Sequence, residues 1–418
     1  MNEDKYPIGY MEKSKKDFHL DLQKNTSDLI INNLIIDFMG GGKSNLLSSI
    51  AYGQFQTYIK TSGERGSLPI IFSPKFEYLK LSLPSKDDNI APQLSPDSMD
   101  AIQITFPICQ PPELLKDELE MRSIIFNDMT TEDIGLLAGI TKSKGLGRIK
   151  KILKEIGKNY TIEQFIDYLE NPETGRQDYS DLYYVYSTFY DIGLFDNEKY
   201  KPFKWEEELT KLKPIIINFG KMWDNQIQSL GGYLLRKLYE LGDWVHDNVK
   251  LKSDFIKDRK KNKIESDLKF TEREKFLKKY FNLSLLIDEA PRLLTYTVST
   301  TLTSYPANRY FQIISSNDGR KLGFRYNYVV TQFFADMYHK FRRRYRYIWF
   351  GNKVTGEDRD YITSNKILNP NDVTIVLRNK KFFFTVVDMQ NYNNYKDEEI
   401  RKRFITRFKT YRCPCGVF

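Results

Sequence analysis

Three consecutive glycines followed by lysine and serine, Gly40 to Ser44, carry the chemistry most readily read from this chain. Apolar Leu34 to Ile36 precedes them, and Leu46, Leu47 and Ile50 follow at helical spacing, so the stretch reads as strand, glycine turn, helix. Glycines let a backbone approach a ligand closely and aim N–H groups at phosphate oxygens from a helix N-terminus. Lys43 would then reach the β- and γ-phosphates, and the Ser44 hydroxyl would sit on Mg²⁺. The expected nucleotide-binding set is Gly40, Gly41, Gly42, Lys43, Ser44 and Asn45. One position departs from G-x-x-x-x-G-K-[ST]: Asp37 stands where the first glycine belongs. A carboxylate there is unfavourable beside a polyphosphate unless it faces away.

A second chemical anchor lies far downstream, where the apolar run Leu283 to Ile287 ends in Asp288-Glu289. Two carboxylates at one strand tip can divide the labour of phosphoryl transfer, Asp288 holding the Mg²⁺ shell and Glu289 polarising a water for attack on the γ-phosphate. Such endings are common by chance; in conjunction with the upstream Gly-Gly-Gly-Lys-Ser turn they are much less so. Glu77, beyond the apolar run from Leu68, is expected at the carboxyl end of another strand, the edge where open α/β sheets bind ligands. Thr331 and Gln332 emerge at the tip of a strand containing Val329 and Val330, where the amide of Gln332 can sense the γ-phosphate or orient water. Arg320, on the glycine turn before that strand, is a candidate arginine finger acting across a subunit boundary.

Strands and helices in alternation must position these groups. Ile102 to Pro107 and Ile215 to Phe219 read as further strands, and a long amphipathic helix is expected from Asn225 to Val249. Between residues 112 and 214 the chain turns helical, with capping-box patterns at Thr130-Thr-Glu-Asp133 and Thr161-Ile-Glu-Gln164. The aromatics from Tyr179 to Phe195 read as core or subunit contact. Phe333 to Phe341 forms an apolar helical stripe ending in Arg342 to Arg346, the densest basic patch. A strand from Tyr347 to Gly351 follows, then a hairpin is expected, Val373 to Leu377 paired with Phe382 to Val387.

Composition narrows the class. Of 418 residues, 40% are hydrophobic and 28% charged, as in globular proteins. A net charge of +9 favours a polyanionic partner. No apolar run approaches the roughly 20 residues of a membrane-spanning helix, and the charged N-terminus lacks a signal-peptide core, so a cytoplasmic location is expected. Three cysteines make no disulfide framework, and the lone histidines His19, His246 and His339 form no zinc-type cluster.

In order, the glycine turn, Pro74-Lys-Phe-Glu-Tyr78, the capped helical insertion, Ile287-Asp-Glu-Ala290, and Gly319-Arg-Lys-Leu-Gly323 before a strand ending Thr331-Gln332 resemble the HerA branch of the HerA/FtsK superfamily. The resemblance spans roughly residues 7 to 390, and its most discriminating part is Gly319 through Gln332. It implies an α/β fold, a RecA-like P-loop NTPase core with a central, mostly parallel sheet and a helical insertion. The expected division is an N-terminal segment 1–30, core 31–111, insertion 112–214, core 215–390 and a C-terminal tail 391–418.

By the same resemblance the chain is an ATPase using ATP and Mg²⁺, with Asp288 and Glu289 serving metal and water, Gln332 as sensor and Arg320 as finger. Its expected partners are double-stranded DNA, further copies of itself in a hexamer, and a nuclease or a packaging or transfer protein. Besides Asp37, Ser73 stands where aspartate is common and Pro291 where histidine is frequent, and the P-loop comes too early for an N-terminal β-barrel to precede it. These departures suggest a viral or mobile-element relative. The competing reading is a nucleotide-binding scaffold or assembly protein with little turnover.

Overall fold

A computed structural model describes residues 5–11, 14, 16–21, 30–37, 41–63, 65–86, 90–92, 94–171, 179–196, 198–261, 282–294, 306–316, 319, 322–333, 345–351, 356–365, 367–376, 382–394 and 397–415. Within these, twelve strands form one sheet. They are β1 (Lys5–Tyr10), β2 (Asp17–Asp21), β3 (Ile31–Ile36), β4 (Leu68–Ser73), β5 (Ile102–Thr105), β6 (Glu120–Met121), β7 (Ile215–Asn218), β8 (Leu283–Ile287), β9 (Phe324–Thr331), β10 (Tyr347–Phe350), β11 (Phe383–Asp388) and β12 (Ile405–Thr410). Their order across the sheet is β2-β1-β12-β11-β10-β3-β9-β8-β4-β7-β5-β6.

From β10 to β6 every pairing is parallel. Strands β3, β4, β5, β7, β8 and β9 are buried along their whole length, which explains their near-continuous apolar runs. Alternate side chains enter two cores: Leu34, Ile36, Leu285 and Ile287 face one, and Ile35 and Leu286 face the other with Leu46, Leu47 and Ile50 of helix α1 (Lys43–Lys60). The sheet therefore bears out the α/β expectation.

Beyond β10 the sheet turns antiparallel, and its outer strands come from the chain's two ends. Gly9 of β1 pairs with Thr410 of β12. Here Gly9 allows close approach: a Cβ on it would lie 2.3 Å from the Lys409 carbonyl oxygen.

Helices α2 (Thr131–Leu137), α3 (Ser143–Ile156), α4 (Ile162–Glu170), α5 (Ser180–Asp191) and α6 (Trp205–Leu209) follow β6. Both capping boxes form, at Thr130 with Asp133 and at Thr161 with Gln164. Tyr186, Phe189 and Phe195 are buried, whereas Tyr184 is exposed. Helix α7 (Asp224–Lys261) runs 38 residues, past the expected end at Val249, because neither glycine nor proline interrupts the charged stretch that follows.

One element differs in kind. The expected first strand of the hairpin, Val373 to Leu377, is instead helical over Val373 to Val376, within a helix Pro370–Val376, and Leu377 lies outside the described residues. Asn369 precedes proline at the first helical position, and its carbonyl accepts from Asp372 N and Val373 N. This local start signal overrides the β-branched composition. The second half of the hairpin is present as β11, and the expected turn at Asn379-Lys380 lies outside the described residues.

Candidate active site

The parallel order places β9 between β3 and β8, so the glycine turn after β3, Gln332 after β9 and the carboxylates after β8 share one edge of the sheet. Gly42 adopts φ +113° and leads into α1. A side chain there would be strained, and its Cβ would lie 2.5 Å from the Phe382 ring. Lys43 is 8% exposed. The first N–H groups of α1 have no intrahelical acceptor, which is the property an anion site needs.

Tyr78 joins the two anchors. Its hydroxyl donates to Asp288 Oδ2 at 2.9 Å, and the Ser44 side chain lies close enough to act on its ionisation. The two oxygen donors expected to share Mg²⁺ are thus held around one buried phenol. Asp288 Oδ1 accepts from the Glu289 backbone N–H at 2.9 Å. Burial pushes the Asp288 carboxyl up to about 6; Glu77 adds to the rise, and the Tyr78 hydrogen bond and the Lys43 ammonium oppose it. The Tyr78 hydroxyl is held well above the ordinary tyrosine value by burial and by the Asp288 and Glu77 carboxylates.

A buried carboxylate, a serine hydroxyl and a lysine suit Mg²⁺ carried in with phosphate, since that ion takes hard oxygen ligands and relies on few carboxylates. Among the described residues no cluster of three or more His, Cys, Asp or Glu side chains could hold a metal by itself.

Glu289 occupies a left-handed conformation, φ 45° and ψ 49°, and its carboxylate is ion-paired with Lys75. Lys75 also lies 3.6 Å from Glu77. Glu77 begins a 3₁₀ turn (Glu77–Ser82) just beyond the tip of β4. Arg292, three residues past Glu289, donates to Asp224 Oδ1 at 2.7 Å and to the Met222 carbonyl at 2.8 Å, tying the carboxylate turn to the start of α7.

Gln332 sits half-buried directly after β9, and among the described residues its side chain makes no hydrogen bond. Gly40 and Arg320 lie outside the described residues, as do Phe334 to Arg344. Arg346, the last of the basic patch, stacks over Tyr347 at 5.2 Å.

The side chain of Asn45, a residue of the expected nucleotide-binding set, is engaged by the C-terminal segment: Nδ2 donates to the Tyr411 carbonyl at 2.8 Å and Oδ1 accepts from Cys413 N at 3.0 Å. The C-terminal segment occupies that amide, leaving the Asn45 backbone N–H as the group it can offer a ligand at the glycine turn. Phe382 N donates to the Gly41 carbonyl at 2.9 Å and Thr410 N to the Phe382 carbonyl, so β11 and β12 also brace the glycines.

Asp37 is fully buried at the end of β3. A Cβ on Gly41 would lie 1.9 Å from its Oδ1, and one on Gly351 2.4 Å from the same atom, so the carboxylate is wedged between two glycine backbones. The sequence places Lys75 and Tyr78 in the Pro74 to Tyr78 stretch without assigning either a role, and it does not single out Arg292, whose partners Asp224 and Met222 are distant in the chain.

No family model and no curated protein matches the chain. Among solved structures, VirB4 of Thermoanaerobacter pseudethanolicus is similar at a TM-score of 0.54 with 14% identity, over 98% of this chain and 96% of that one. The fold is shared with VirB4. The bacterial conjugative coupling protein TrwBdeltaN70 gives a TM-score of 0.43 at 12% identity, over 85% of this chain and 81% of its own. The genome packaging NTPase B204 from Sulfolobus turreted icosahedral virus 2, in complex with AMPPCP, gives 0.37 at 10%, over 92% and 98%. At such identities the likeness to VirB4 shows the fold alone, an α/β fold on a mostly parallel sheet, as the motif order implied.

Proposed function

We propose that this chain is an ATP-hydrolysing motor that assembles into a ring and translocates double-stranded DNA. The observation that carries the hydrolysis reading is the convergence of the glycine turn after β3 and the carboxylates after β8 at one end of the sheet, with buried Tyr78 bonded to Asp288. Lys43 and the first N–H groups of α1 bind the phosphates, and Ser44 and Asp288 hold Mg²⁺, which supplies positive charge to the polyphosphate. Glu289 orients the attacking water, and Gln332, between the two anchors, senses the γ-phosphate. Arg320 of a neighbouring copy completes the charge compensation.

The DNA and ring assignments rest on the motif order and on the net charge of +9. A process of packaging or transfer, with a nuclease or other partner, follows from the same resemblance. The test is ATP hydrolysis with and without double-stranded DNA, beside Lys43→Ala. DNA-stimulated turnover that Lys43→Ala abolishes supports the motor.

A nucleotide-binding scaffold with little turnover is the second reading, favoured by Asp37. Its carboxylate lies against Gly41, where the pattern expects glycine. ATP binding without hydrolysis in an assembled ring would select it.

A further inference from the structure

Lys75, within the Pro74 to Tyr78 stretch, has no role assigned by the resemblance, yet its ammonium is paired with Glu289, the carboxylate assigned to the attacking water. The pairing is built rather than incidental. Ser73, the last residue of β4, accepts from Lys75 N at 3.2 Å and donates its hydroxyl to the Lys75 carbonyl at 2.6 Å, which fixes the lysine's backbone beside the strand tip. From the other side, the left-handed turn at Glu289 and its N–H bond to Asp288 direct that residue toward the same place. Glu77 stands 3.6 Å from the lysine as a second acceptor. Burial alone would lower the Lys75 amine, but Glu289, Glu77 and Asp288 outweigh it and hold the amine above the ordinary lysine value.

Exposure is uneven across this group. The Glu289 side chain is 13% exposed, whereas those of Lys75 and Glu77 are 48% and 32% exposed. The lysine can therefore leave into solvent or transfer to Glu77 while the glutamate stays in place.

A carboxylate whose lone pairs are held by an ammonium is a poor partner for a water proton. We propose that Lys75 is a positioning residue that restrains Glu289, and that hydrolysis requires Lys75 to release it, with Glu77 as the alternative acceptor. This rests on the hydrolysis reading above. No bond is made or broken in the release beyond exchange of hydrogen-bond partners. It gives the site a means of coupling turnover to whatever displaces the β4 tip.

Two measurements on the full chain test it, and one is independent of hydrolysis. Lysine reactivity toward acetic anhydride at alkaline pH, read by peptide mass spectrometry, should rise at Lys75 in Glu289→Gln, because loss of the carboxylate frees the amine and enlarges its unprotonated fraction. In Lys75→Met, kcat without DNA should rise several-fold with KM unchanged, and DNA stimulation should shrink accordingly. Lys75→Arg, which keeps the cation, should stay near wild type.

Unchanged labelling at Lys75 would show that the pair does not exist and would overturn the inference. Altered labelling with kcat of Lys75→Met at or below wild type would overturn the restraint. Altered labelling with ATP bound but hydrolysed by neither protein would instead defeat the hydrolysis reading, and the restraint with it.

Discussion

The glycine turn after β3 has two flanks built on different principles. On the β8 side the groups are titratable: a buried Asp288 raised to about 6, Glu289 with an ammonium on its carboxylate, and a buried phenol on Asp288. On the C-terminal side the groups are neutral and satisfied, an asparagine amide bonded to two backbone groups and backbone bonds from Phe382 and Thr410. The first flank presents carboxylates and an ammonium, whereas the second presents an amide and backbone groups already engaged in hydrogen bonds. Substitutions on the first flank should change turnover, and those on the second should change stability.

The largest expected effect tests the first flank at its centre. Glu289→Gln removes the carboxylate but keeps its size and can still accept a hydrogen bond from Lys75. Turnover should fall by on the order of 10²- to 10⁴-fold, the usual worth of a group that handles the proton, while ATP binding persists. Calorimetric titration with ATP beside a phosphate-release assay separates the two quantities. If binding fell with turnover, Glu289 would be holding the nucleotide and the division between the flanks would fail.

Next comes a stability effect on the same flank, tied to pH. Asp288 in the fold titrates near 6 against a usual 3.8, so between those values the folded protein keeps a proton that the unfolded chain has released. Stability should therefore fall as pH rises from about 4 to about 6 and then level off, by on the order of 3 kcal/mol for this group. In Asp288→Asn that dependence should disappear, leaving the variant more stable than wild type at pH 8 and no more stable at pH 4. Denaturant unfolding at the two pH values measures it. Mg²⁺ with ATP should recover stability for wild type at pH 8 more than for the variant.

How legible the two flanks were in the sequence follows the same line. The glycine turn, the strand ending Asp288-Glu289 and both capping boxes are contiguous signals, and each element formed where its residues predicted. Non-local contacts were not legible. Tyr78 matters because three segments, ending at Ser44, Tyr78 and Asp288, converge on its hydroxyl, and nothing in any one of them announces the others. β12 pairs with β1 across some four hundred positions, so the segment read as a tail gave no sign that it braces the loop through Asn45. At Val373 the failure was local: β-branched residues suggested a strand, but Asn369-Pro370 carries the stronger start signal for a helix.

The smallest expected effect sharpens the comparison from the other flank. Asn45→Ala deletes two hydrogen bonds and leaves the buried Cys413 N–H and Tyr411 carbonyl without that partner. Leaving buried polar groups unsatisfied costs about 1–3 kcal/mol, so the variant should unfold earlier in denaturant by that amount. Turnover at saturating ATP should stay within a few-fold of wild type, because the amide faces the C-terminal segment and not the phosphates. A rise in KM for ATP without loss of kcat would mean that bracing also sets the affinity of the loop. Loss of kcat comparable to that of Glu289→Gln, at unchanged stability, would restore Asn45 to the catalytic side and erase the distinction between the flanks.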